Sequence, residues 1–174
     1  MLLPFLSPPF ANIFGLTASR DLHTVLSRSI ERKTSSTNLN ALTISSDITT
    51  TGLIDINAPI TLGADVILSS GTGAGDIELG SSVLGAHNLD ISSGSGAVTI
   101  TGDVGAEASK ALTSLDINNG SETGNVTLTG NIGTASLTGA GAVNIGNNGL
   151  TGTITFGGTD YSTCLLYTSD AADE

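Results

Sequence analysis

The sequence predicts an all-β fold, a parallel β-helix or β-solenoid of about five three-faced coils running from residue 41 to residue 163. Three observations carry that expectation. Apolar residues come in alternating pairs, the pairs return at intervals close to one solenoid coil, and Gly-, Ser- and Asn-rich stretches of variable length separate them. The line GAVTITGDVGA at residues 96–106 comes back as GNVTLTGNIGT at residues 124–134, with its apolar letters kept in kind and its polar letters free.

Residues 1–40 are a different material. They hold four of the five basic residues, Arg20, Arg28, Arg32 and Lys33, and one of the 23 glycines. The opening MLLPFLSPPFANIFGL is apolar, but it lacks a basic start and carries three prolines, which argues against a secretory leader. In SRDLHTVLSRSIERK, Leu22, Val25, Leu26 and Ile30 fall at helical spacing. Ser19 is placed to cap such a helix, Asp21 lies in its first turn, and Arg28, Arg32 and Lys33 suit the C-terminal end of its dipole. Two readings of this leader stay open: a short helix capping one end of the repeat stack, and unrelated or misjoined sequence.

From Leu42 each unit contributes two apolar pairs and a third apolar residue. The first pairs are Leu42/Ile44, Val66/Leu68, Leu89/Ile91, Leu115/Ile117 and Val143/Ile145. The second pairs are Ile54/Ile56, Ile77/Leu79, Val98/Ile100, Val126/Leu128 and Ile154/Phe156. Ile60, Val83, Val104 and Ile132 supply the third column, which the last unit breaks because Asp160 stands at that position. Strand alternation turns both members of a pair inward and the polar residue between them outward, so three inward ladders imply three faces. Stretches such as SSGTGAG and NNGSETGN supply the residues that tolerate positive φ, as the corners of a coil require. One coil buries too few aliphatic side chains to offset the backbone entropy of ordering it, so stability must come from stacking.

The last eleven residues, CLLYTSDAADE, leave the repeat, the glycine and the alternation together. The string resembles, letter for letter, translated transposase-adapter DNA of sequencing libraries, and residues 164–174 are set aside from the fold on that ground. The only cysteine, Cys164, goes with them, so no disulfide argument about compartment can be made.

Composition narrows the function. Between Ala41 and Thr163 eleven acids face the single Lys110, a surface that repels phosphate backbones and anionic headgroups. Nucleic acid is therefore disfavoured as a partner, and no apolar run is long enough to insert in a membrane.

The alternation also names the outward columns. The first shows Thr43, Ile67, Asp90, Asp116 and Asn144; the second shows Asp55, Glu78, Thr99, Thr127 and Thr155. Asp90 above Asp116 and Asp55 above Glu78 would bring like charges together, which splayed, solvated side chains or a bound calcium would relieve. The solvated reading is preferred, because DINNGSE at Asp116 lacks the spacing of a calcium loop. The Thr column, flanked by Thr101 and Thr129, has the Thr-x-Thr pattern of ice-binding solenoids, but it runs into Glu78 and Asp55; β-branched filling of strand positions is the plainer account. The repeat offers one Lys, no Arg and a lone His87 at a corner, so no catalytic, metal or cofactor-binding residue is assigned. The sequons at Asn119 and Asn125 are expected by chance in so Asn- and Thr-rich a chain.

The stretch ITLGADVILSSGTGAGDIELGSSVLGAHNLDISSGSGAVTITGDVGA resembles the central repeats of large bacterial exoproteins of the filamentous haemagglutinin type, and the similarity runs from about Leu42 to Gly158. The resemblance implies a shaft segment of an exported adhesin or structural surface protein, extracellular or on the bacterial cell surface, with no catalysis. It also implies an outer-membrane secretion partner, and contact with host or cell-surface glycans or proteins through regions outside this chain. The secretion domain of that family, with its Asn-Pro-Asn-type motif, is not among these residues, which fits an internal fragment. The alternatives are a fragment of a carbohydrate-active β-helix enzyme and a small ice- or calcium-binding solenoid.

Overall fold

A computed structural model describes residues 41–146 and 150–168, so the expected leader helix lies outside the described residues. The described chain is all β. The first coil consists of β1 (Leu42–Ile44), β2 (Ile48–Thr49) and β3 (Ile54–Ile56), and the second of β4 (Ile60–Leu62), β5 (Val66–Ser69) and β6 (Ile77–Leu79). β7 (Val83–Leu84), β8 (Asn88–Ser92) and β9 (Val98–Ile100) make the third. The fourth has Val104 as a single bridging residue, then β10 (Leu112–Ile117) and β11 (Val126–Leu128). The fifth has Ile132 in that role, then β12 (Ala140–Ile145) and β13 (Ile154–Phe156); Tyr161 and β14 (Thr163–Thr168) begin another turn.

Every strand pairs in parallel with its counterparts in neighbouring coils, which gives three sheets. The first is β1-β4-β7, continued by bridges through Val104, Ile132 and Tyr161. The second runs β2-β5-β8-β10-β12-β14, and the third β3-β6-β9-β11-β13. This is the parallel β-helix that the alternation predicts. Its core is a single cluster of stacked aliphatic residues, with Ile54, Ile77, Val98 and Val126 each 0% exposed in one column.

The register corrects the sequence reading at two places. Leu42/Ile44 does not head the column of Val66/Leu68: β1 pairs with β4, Leu42 opposite Ile60 and Ile44 opposite Leu62. The first coil enters the second sheet through Ile48, opposite Leu68. Thr43 accordingly lies beside Thr61, not above Ile67. The reason is that alternation marks which side of a strand faces in, not which sheet it joins, and the true strand here is only two residues long. In the last unit the third column is not lost. Tyr161 bridges to Ile132, one position later than Asp160, with its hydroxyl accepting the Gly158 N–H and donating to the Leu128 carbonyl.

The backbone also continues past the point where the repeat was expected to stop, since β14 pairs along β12 with Ala140 opposite Thr163 and Val143 opposite Leu166.

Two stacks of glycine fix how closely the coils approach. A side chain at Gly96, Gly124 or Gly152 would collide with the carbonyl of the glycine one coil earlier, Gly75, Gly96 and Gly124 respectively. In a second stack, a side chain at Gly130 or Gly158 would meet the carbonyl of Gly102 or Gly130 respectively, and one at Gly102 would meet the Ser81 carbonyl. These glycines are required by backbone contact, not by a turn conformation.

Candidate functional site

Immediately after several of these glycines, and directly before several strands and bridging residues, stands an Asp or Asn. Its side-chain oxygen accepts the backbone N–H of the residue facing it in the next coil. Asp47 accepts from Ile67 (2.8 Å), Asp65 from Asn88 (2.9 Å), Asp76 from Ala97 (2.7 Å) and Asp103 from Asn131 (2.8 Å). Asn125 accepts from Thr153 (2.8 Å), and Asn131 from both Thr159 (2.8 Å) and Asp160 (3.0 Å). All of these bonds run the same way along the stack, from an acceptor in one coil to a donor in the coil that follows. The corner where the ladder would otherwise leave an N–H to water is thereby closed.

A second polar ladder lies inside, between the second and third sheets, where Ser70, Ser93 and Asn118 are each 0% exposed. The Ser93 hydroxyl donates to the Gly96 carbonyl and accepts from the Asn118 amide, whose oxygen takes the Ser93 N–H. Ser70 donates to the Gly75 carbonyl. Among the described residues no buried side-chain nitrogen or oxygen is left without a partner, which is what a core this thin requires.

The outer face of the second sheet carries the most concentrated charge. A groove of about 480 Å³ there is lined by Asp47, Asp65, Val66, Ile67, Asn88, Asp90, Ser114 and Asp116. Asp90 stands directly opposite Asp116. Partial burial, and then the charges of Asp116, Glu122 and Asp47, hold the Asp90 carboxyl above the usual aspartate range. Asp116 is better supplied with donors, taking bonds from the Ser114 hydroxyl and the Asn144 and Asn119 amides. Asp65 is pushed the other way, mainly by the Asn88 backbone N–H, with further help from the Asn88 amide and from His87, whose Nδ1 lies 3.6 Å away. Glu122 is engaged locally, accepting from Ser92 and from the Gly120 N–H.

The columns expected from the sequence are present from the second coil on. Ile67, Asp90, Asp116 and Asn144 succeed one another on the second sheet. Asp55, Glu78, Thr99, Thr127 and Thr155 do so on the third. The Thr101 and Thr129 hydroxyls turn back towards the Leu79 and Ile100 carbonyls at 3.4 Å, so they belong to the ladder as much as to the surface. No group of three His, Cys, Asp or Glu side chains among the described residues is placed to hold a metal ion.

Sequence reasoning counted the corner acids as surface charge and missed their bonds to the next coil. The signal was present: Asp or Asn directly before an apolar strand residue occurs in SDI, ADV, GDI, GDV, GNV and GNI. No family model, curated protein or solved structure matches the chain.

Proposed function

We propose that the chain is a structural, adhesive shaft segment of an exported bacterial surface protein, akin to the repeats of the filamentous haemagglutinin type, and that it performs no catalysis itself. The observation that supports this reading is the contrast between the two sides of each strand. Inward positions repeat as Ile, Val or Leu from coil to coil, whereas outward positions change from acid to Thr to Asn without converging on one chemistry. Such a construction conserves length and stiffness and leaves the surface free to vary, which suits a spacer that holds a binding region away from a cell. Its acidic surface would keep neighbouring shafts apart.

Long-read sequencing of the source DNA across both ends of the gene tests the proposal. Further coils for hundreds of residues behind an upstream secretion domain are the expected result. An Asp cluster beside Arg or Lys within a few coils would overturn it in favour of a carbohydrate-active enzyme.

A further inference from the structure

The corner of residues 118–125, which joins β10 to β11 in the middle of the stack, carries a reactive pair. Among the described residues Asn119 is the one asparagine followed by glycine, and both residues are exposed. After Asn125 and Asn131 the next N–H enters the ladder, Val126 donating to the Thr153 carbonyl and Ile132 to the Asp160 carbonyl. Gly120 N–H instead points at a carboxylate, Glu122 Oε2, at 2.7 Å. That carboxylate is held from its other side, because Oε1 accepts the Ser92 hydroxyl of β8 at 2.7 Å. It also fills the space where a side chain at residue 120 would lie, since a Cβ there would come within 2.9 Å of Oε2. The Asn119 amide is directed at Asp116, with Nδ2 3.4 Å from Oδ1. A carboxylate fixed within hydrogen-bond reach of an N–H is placed to act on it as a general base.

We propose that Asn119–Gly120 is a self-modifying site, where the Glu122 carboxylate acts as general base for closure of the Asn119 side chain onto the Gly120 nitrogen. The nitrogen attacks the Asn119 side-chain carbonyl carbon as Glu122 Oε2 takes its proton. That proton is returned to the amide nitrogen, the carbon–nitrogen bond of the side-chain amide breaks, and ammonia leaves. Water then opens the cyclic imide at either carbonyl, giving aspartate or isoaspartate at position 119. Gly120 suits the step because it has no side chain to shield its nitrogen. The folded corner adds the fixed geometry of base and nucleophile, since an unfolded chain has the same dipeptide without the Ser92 anchor. The product replaces an amide donor to Asp116 with a carboxylate, and the isoaspartate form adds one carbon to the backbone beside buried Asn118. The inference goes beyond the shaft reading and does not depend on it.

Incubation of the full chain at neutral pH, followed over days by peptide mapping, is the test. Asn148–Gly149 closes the same Asn-Asn-Gly run in the sequence and serves as a reference in the same tube. Aspartate plus isoaspartate at position 119 is expected to form several-fold faster in the folded chain than in the same chain unfolded in urea. Glu122→Gln keeps an acceptor for the Gly120 N–H but removes the base, and should bring the folded rate at position 119 down to the unfolded one while leaving Asn148 unchanged. Ser92→Ala, which releases the carboxylate from its anchor, should slow position 119 in the same direction. If Glu122→Gln does not fold by far-UV circular dichroism, the wild-type comparison with urea and the Ser92 variant decide. A folded rate equal to or below the unfolded one, a folded Glu122→Gln chain that reacts as wild type or slows both asparagines alike, or a Ser92→Ala rate equal to wild type would each overturn the proposal.

Discussion

Replacing Asn131 by Ala removes one acceptor that serves two backbone donors. The Asn131 oxygen takes the Thr159 N–H at 2.8 Å and the Asp160 N–H at 3.0 Å, and it lies 3.3 Å from the Thr159 hydroxyl. Thr159 is exposed, so water can replace its bond at little cost, while Asp160 is half-buried and loses more. With a net value of roughly 0.5–1.5 kcal/mol for each hydrogen bond, the expected destabilisation is about 1–2 kcal/mol. The loss should also be local. In a stack where each coil touches only its neighbours, the fifth coil should loosen while the second and third stay as they are. Urea unfolding measures the total, and amide hydrogen exchange followed by mass spectrometry measures its placement. Asn131→Asp keeps an acceptor at the same position, as Asp103 does one coil earlier, and should lie close to wild type. The reasoning fails if Asn131→Ala costs no more than the ~0.5 kcal/mol of an ordinary surface substitution, if Asp and Ala cost the same, or if exchange quickens evenly along the chain.

Three further outcomes follow from the same geometry. Ala97 donates its N–H to Asp76 but has no side-chain acceptor to offer the next coil, so Ala97→Asn should raise urea-unfolding stability by about 0.5–1.5 kcal/mol. Gly124→Ala would drive a methyl group into the Gly96 carbonyl, and a loss of at least ~1–3 kcal/mol by thermal unfolding is expected. The third concerns pH. Folding raises the Asp90 pKa, so the folded state binds that proton more tightly than the unfolded chain, and this group's contribution to stability falls as pH rises through the carboxylate range. Asp90→Asn should therefore stabilise the protein at neutral pH by the ~0.2–1 kcal/mol typical of a facing like-charge pair. That advantage should shrink in added salt and disappear below the carboxylate range, where wild-type Asp90 is itself protonated.

The register of the third sheet was legible in full, because Ile54/Ile56 through Ile154/Phe156 combine alternation with a glycine corner before each strand, although Phe156 in the last pair is 40% exposed. Leu42/Ile44 was misplaced because a short strand shows its inward side but not its sheet, and Ile48 with one neighbour has too little pattern to be noticed. Leu84, Leu112 and Ala140 are buried without belonging to a pair; the longer β10 and β12 bring Leu112 opposite Ala140, a contact no periodicity announces. Tyr161 was hidden by a one-residue slip at Thr159 and Asp160, whose N–H groups both reach the Asn131 oxygen. The acidic groove was half legible. Asp90 and Asp116 follow from register, whereas Asp47 and Asp65 reach the same place from corners, held there by backbone bonds that composition cannot reveal.

The central claim is that one column of residues, Asp55, Glu78, Thr99, Thr127 and Thr155, stacks coil on coil in parallel. Nuclear Overhauser contacts between backbone protons test it directly. Contacts are predicted between each residue's strand and those immediately before and after it in that series, at the ~4.8 Å spacing of neighbouring strands, and not between Asp55 and Thr99. Antiparallel contacts between strands adjacent in sequence, such as β8 with β9, would contradict the account.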